Sequence, residues 1–239
     1  MEQRIIFISQ GFQLIGVLHL PEAENPPVVI GSHGLFSTKD SPKQIALAKR
    51  LNAAGIAYFR FDHRGCGESH GEFVKVTSFA ARKADLSAAI TAMAAHPKTG
   101  DAIGLFGSSM GGAACLGVAG DHNIKALVVL AAPVSFAMIR VTDASLADSR
   151  VAGMTAGQME FDISESLSLL SNVLIFHGDA DTVVPYENAR QILQRVKEPK
   201  ELFTLTGADH PLSDPAHQEK FIDLAVKWFV SKLIQKIPE

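Results

Sequence analysis

Cysteine is nearly absent from these 239 residues. Cys66 lies in a glycine-flanked loop and Cys115 in an apolar stretch, where a small buried hydrophobe is the plain reading, so no disulfide is expected. The histidines and carboxylates show no C-x-x-C, H-x-x-x-H or H-E-x-x-H spacing, which excludes the usual metal motifs; no metal and no cofactor are expected. Charge of one sign is also lacking. The net charge is −3 with Lys and Arg scattered, so there is no basic footprint for nucleic acid. The longest apolar run, residues 126–134, is far too short to cross a bilayer, and no membrane insertion is expected. The opening Met1-Glu2-Gln3-Arg4 lacks the basic and small-residue pattern of a signal peptide, which makes the cytoplasm the expected location. Without a Pro/Gly/Ser-rich linker, charge block or internal repeat, residues 1–239 read as a single domain, a monomer or homodimer.

What is present is a large apolar fraction, 47% of the chain, ample for one well-filled core. Apolar runs predict strands at 5–9, 14–20, 28–32, 57–61, 103–106, 126–130, 173–176 and 202–205. Several are near-continuous Val/Ile/Leu/Phe runs, as in strands buried on both faces of a parallel sheet. Helix-length segments at 42–54, 79–95, 110–119, 187–196 and 215–233 alternate with them, and Ile45, Leu47, Ala48 and Leu51 show the helical period. The alternation implies an α/β fold of right-handed crossovers, a mostly parallel eight-stranded sheet with helices on both faces. The first two strands are joined so closely that they read as an antiparallel edge. One segment breaks the rhythm. Residues 135–170 have no clean period, yet hold Met138, Met154 and Met159 together with Ile139, Val141, Leu146 and Phe161. Two readings stay open: an extra pair of surface helices, or a small cap over a pocket, for which adaptable methionine is suited.

The chemistry-bearing motif is Gly107-Ser108-Ser109-Met110-Gly111, between a strand run and an alanine-rich helix. It fits the G-x-S-x-G turn that lifts a serine above the sheet, with glycines where bulkier residues would meet backbone. A phosphate loop is excluded by its letters, because Ala113 and Ala114 stand where Lys and Ser/Thr are required. Serine needs a base, and the base needs a third group to hold it. Both follow in the order acid, then histidine. His177-Gly178-Asp179-Ala180-Asp181-Thr182-Val183-Val184-Pro185 follows one strand run, and Gly207-Ala208-Asp209-His210 follows the next. These loops converge at the carboxyl ends of the strands, where open α/β sheets bind ligands.

With Ser32-His33-Gly34-Leu35 and Phe61-Asp62-His63-Arg64-Gly65-Cys66-Gly67-Glu68-Ser69 added, the chain resembles the α/β-hydrolase superfamily nearly end to end. Within it, the likeness is to small feruloyl (cinnamoyl) esterases and monoacylglycerol-lipase-like enzymes. The resemblance implies Ser109 as nucleophile, with Ser108 its competitor, and His210 as base. Asp181 takes the family's acid position, with Asp179 its rival; Asp209, adjacent to His210, points away from it. The backbone N–H groups of Leu35 and Met110 are implied as the oxyanion hole, Phe36 being the fallback for the first. Phe36, Met138, Met154 and Met159 are expected to line the substrate pocket. His33 and His177 are expected to be structural, as are Asp62, Arg64 and Asp85. The expected activity is hydrolysis of a small-molecule carboxylic ester through an acyl-enzyme. Thioesterase, amidase or peptidase chemistry with the same triad stays open, as does a non-catalytic ligand-binding receptor or scaffold of the same fold.

Overall fold

Eight strands form one sheet in the computed structural model, which describes residues 1–140 and 153–234. They are β1 (Glu2–Ser9), β2 (Phe12–His19), β3 (Val28–Ser32), β4 (Ala57–Phe61), β5 (Ile103–Ser108), β6 (Ile124–Leu130), β7 (Val173–Gly178) and β8 (Lys200–Leu205). Their order is β1-β2-β4-β3-β5-β6-β7-β8. Pairing is parallel from β4 to β8, while β1 and β2 form the antiparallel edge. The hairpin turns through Gln10 and Gly11, both at positive φ (49° and 84°), the conformation that suits a two-residue turn to strand twist. β1 reaches further toward the N-terminus than the apolar pattern predicts. Its extra residues, Glu2, Gln3 and Arg4, pair with His19, Leu18 and Val17 through backbone groups, which leave no mark in hydropathy.

The central strands β3, β4 and β7 are buried throughout because both sheet faces are covered. On one face lie α1 (Pro42–Ala53) and, at the far end of the chain, a helix over Pro215–Leu233. Leu47, Leu51, Phe221 and Phe229 from these pack on Val29, Tyr58, Phe106, Val128 and Phe176. On the other face, Val28, Ile30, Phe59, Leu105, Val129 and Ile175 meet a second group of helices. The short α2 (Phe73–Val76) precedes this group; four residues are too few to show a period. The group itself comprises α3 (Phe79–Ala94), α4 (Met110–Val118) and, after α5 (Ala156–Met159), α6 (Glu187–Arg195), which leaves α7 for Pro215–Leu233. Alternate residues of each strand therefore feed opposite cores, each fully buried Leu, Ile or Phe contributing roughly 1.5–3 kcal/mol. Among the described residues, no helix is long and apolar enough to cross a membrane.

Between β6 and β7 the described residues form 3-10 turns at Phe136–Met138 and Ser166–Leu169, with α5 between them. Val141 and Leu146 lie outside the described residues. The segment is fastened by a bridge between Ser135 and Asp162 and by Phe161 stacked on Phe79, their ring centroids 4.0 Å apart. Met159 and Ile163 sink into the core beneath it.

Candidate active site

β5 ends at Ser108 and α4 begins at Met110, so a single residue makes the turn. Ser109 adopts φ 53°, ψ −124°, a conformation that costs an L residue about 1–3 kcal/mol. The surroundings impose it. A Cβ at Gly107 would collide with the Gly111 carbonyl, and one at Gly111 with that of Ser32. The Ser109 N–H donates to Leu130 O (2.8 Å), and its carbonyl accepts from Gly112 and Ala113 (2.8 and 3.1 Å).

The loops after β7 and β8 bring the partners. His210 Nε2 stands 3.0 Å from Ser109 Oγ, and Nδ1 of the same ring lies 2.7 Å from Asp181 Oδ2. With its proton on Nδ1, the imidazole donates to Asp181 and accepts from the serine hydroxyl. Asp181 is buried, and its other oxygen accepts the N–H groups of Val183 (2.9 Å) and Val184 (2.8 Å). Burial alone would raise this carboxyl. The neighbouring His177, the bond from His210 and the Val184 amide outweigh burial and hold it well below the usual carboxylate range.

The sequence rivals separate cleanly in space. Asp179 is exposed and accepts the Gly207 N–H (2.6 Å), tying the two loops together. Asp209 caps its own turn by accepting from Ser213 N (2.7 Å). Ser108 lines a cavity together with Ser109, but the His210 ring meets Ser109. His177 donates from Nε2 to Val184 O (2.8 Å), bracing the loop that carries Asp181. His33 donates from Nδ1 to Gly34 O (2.8 Å) and accepts the His63 N–H at Nε2 (3.2 Å). Asp62 gathers the backbone and ammonium of Lys39 (2.8 and 2.9 Å), and Arg64 grips Asp85 with two nitrogens (2.9 and 2.6 Å).

Beside Ser109, Leu35 and Met110 border the same space, and no hydrogen-bond acceptor for either backbone N–H is found among the described residues. The space is a cavity of about 630 Å³. Of the expected lining residues, Phe36, Met154 and Met159 border it; Met138 does not, and instead packs half-buried against the core. Ile139, one of the apolar residues of the expected cap, borders it too, while Phe136, Val183 and Val184 add to the apolar wall and were not foreseen. Val183 and Val184 belong to the loop string that holds Asp181, so the string itself was the available signal. Among the described residues, no group of three or more His, Cys, Asp or Glu could hold a metal ion.

Comparison with known proteins agrees with this architecture. A monoacylglycerol lipase of Mycolicibacterium smegmatis is 23% identical over 268 residues, covering 93% of this chain and 95% of that protein. An Escherichia coli O157:H7 protein named YfhR is 27% identical over 183 residues, 73% of this chain; the chain spans 61% of that relative's length. The solved structure of Est1E from Butyrivibrio proteoclasticus with ferulic acid superposes with a TM-score of 0.79 at 21% identity, covering 97% of this chain and all of that one. The family Hydrolase_4, described as serine aminopeptidase S33, matches residues 23–156, more than half of the chain, and the protein belongs to this family of α/β hydrolases.

Proposed function

We propose that the protein is a serine hydrolase that cleaves carboxylic esters of small to medium acyl or aromatic acids through an acyl-enzyme. The observation that carries this is the continuous line Ser109 Oγ–His210 Nε2 (3.0 Å) and His210 Nδ1–Asp181 Oδ2 (2.7 Å), with Ser109 and His210 lining an apolar cavity. In this reading Ser109 Oγ attacks the ester carbonyl while His210 Nε2 takes its proton. Asp181 holds the ring's tautomer and stabilises the imidazolium that forms. The carbonyl oxygen gains charge and is met by the Leu35 and Met110 N–H groups, each such donor being worth roughly 3–4 kcal/mol of barrier. The imidazolium then protonates the leaving alcohol, and water repeats the sequence to free the acid.

The wall of the cavity favours an ester over an amino-terminal peptide. Among the described residues that border it there is no Asp or Glu, while Lys43 and Arg140 are present, so a free α-ammonium would find no counter-charge among them. The relatives are in keeping with this reading, one being named a monoacylglycerol lipase and one neighbour binding ferulic acid. Incubation with a fluorophosphonate, followed by mass spectrometry of the intact protein, tests the site. One phosphonyl group per chain on Ser109, absent from Ser109→Ala, is expected; a stoichiometry well below one with intact folding would point to a ligand-binding pocket instead.

A further inference from the structure

Arg82 is among the most deeply buried side chains of the protein at 1% exposure, and Asp85 on the same helix is buried as well. A buried guanidinium is costly unless something repays its desolvation. Among the described residues no carboxylate lies within ion-pair distance of it, since Asp85, one turn on, is taken by Arg64. Its bonds go instead to backbone. Nη1 donates to His33 O (3.0 Å) and Nη2 to Leu35 O (3.0 Å), with Cys66 Sγ 3.8 Å from Nη2.

Those two carbonyls flank one peptide, Gly34–Leu35, whose residues border the cavity next to Ser109. That peptide's own carbonyl is fastened by His33 Nδ1 (2.8 Å) and by Ser37 N–H (3.2 Å). In a planar trans peptide the N–H points opposite to the carbonyl, so the Leu35 N–H is turned away from these bonds. Gly34 has no side chain to hold it, and a loop pivoting there would be free to rotate the peptide. The guanidinium fork prevents this by fixing the peptide on each side, and its two-pronged geometry is one that lysine cannot reproduce.

We infer that Arg82 is the positioning residue of the oxyanion site: it clamps the His33 and Leu35 carbonyls so that the Leu35 N–H faces the charge developing on a substrate bound to Ser109. The inference rests on the ester-hydrolase reading above. It gives the buried cation a task in the transition state and none in ground-state binding.

The test compares wild type, Arg82→Gln and Arg82→Lys on one p-nitrophenyl ester, with rates normalised to folded protein from near-ultraviolet circular dichroism. Inhibition by phenylboronic acid, which forms a tetrahedral anionic adduct with the serine, is measured beside them. In Arg82→Gln, kcat is expected to fall about 10- to 100-fold with KM within about threefold, the range for a misplaced oxyanion donor. Boronate affinity is expected to fall in step with kcat. Arg82→Lys keeps the cation but one prong, and is expected to lie between; it decides the matter if Arg82→Gln does not fold. A folded variant with kcat within threefold of wild type, or with reduced kcat but unchanged boronate affinity, would overturn the inference. Wild type without Ser109-dependent ester hydrolysis would overturn the ester-hydrolase reading instead.

Discussion

Ser109 Oγ lies 3.0 Å from Nε2 of His210, a residue 101 positions further along the chain. The contact is made by the turns that follow β5 and β8, and the first of them is strained. Ser109→Ala is expected to remove about 10⁴- to 10⁶-fold of kcat while the protein stays folded. Ser109→Gly is expected to lose activity equally, yet to gain about 1 kcal/mol of stability, because glycine accepts φ 53° without penalty. In a domain of this size that is a rise of roughly 2–4 °C in Tm. A glycine variant less stable than Ser109→Ala would show that the turn is not strained.

The two aspartates of the loop after β7 are predicted to behave differently. Asp181→Asn leaves the imidazole without its acceptor and is expected to lower kcat by about 10⁴. Asp179→Asn disturbs only the bond to Gly207 and is expected to keep kcat within about fivefold. Equal losses from both, at equal Tm, would remove the distinction drawn from the His210 contact.

Much of this was legible beforehand. The near-continuous apolar runs at 28–32, 57–61 and 173–176 announced strands buried on both faces, and the loop motifs placed Ser109, Asp181 and His210 at their carboxyl ends. The choice between Asp179 and Asp181 was harder, since two aspartates in one loop differ only in where the backbone aims them. Arg82 was illegible for a related reason: an arginine one turn from an aspartate on a helix looks like a solvated pair. Its burial follows from how α3 docks on the sheet, a tertiary fact. The wall residues Phe136 and Ile139 sit in a segment without period, where local pattern carries no information about which side faces the cavity.

Acid should weaken the fold earlier than its carboxylates alone would suggest. Burial, aided by the Arg82 charge, lowers the His63 pKa to about 4, and burial likewise pushes that of His33 well below its ordinary value. The unfolded chain, with histidine near 6.5, takes up protons that the folded protein refuses. The stability due to neutral His63 is therefore fully present above about pH 6.5 and is lost as pH falls toward 4, by an amount on the order of 3 kcal/mol. Asp85 is held below its ordinary value by His63 and Arg64 against burial, so its contribution is lost only at still lower pH. Thermal melts between pH 8 and 4 should show Tm declining from about 6.5 downward, and His63→Gln should decline less steeply. Parallel curves would exclude His63 as the source.

The cavity wall should set acyl size. Met154 borders the space of about 630 Å³, and Met154→Trp fills part of it. With long-chain p-nitrophenyl esters, kcat/KM is expected to fall roughly tenfold or more, while acetate and propionate esters change little. An unchanged chain-length profile would mean that the acyl group lies elsewhere.

The most direct test is the initial rate on p-nitrophenyl and feruloyl esters of increasing acyl size, with Ser109→Ala as the blank. The account predicts hydrolysis that peaks at one range of acyl size and vanishes in the blank. Rates equal to the blank on every ester, from protein that is folded, would contradict it.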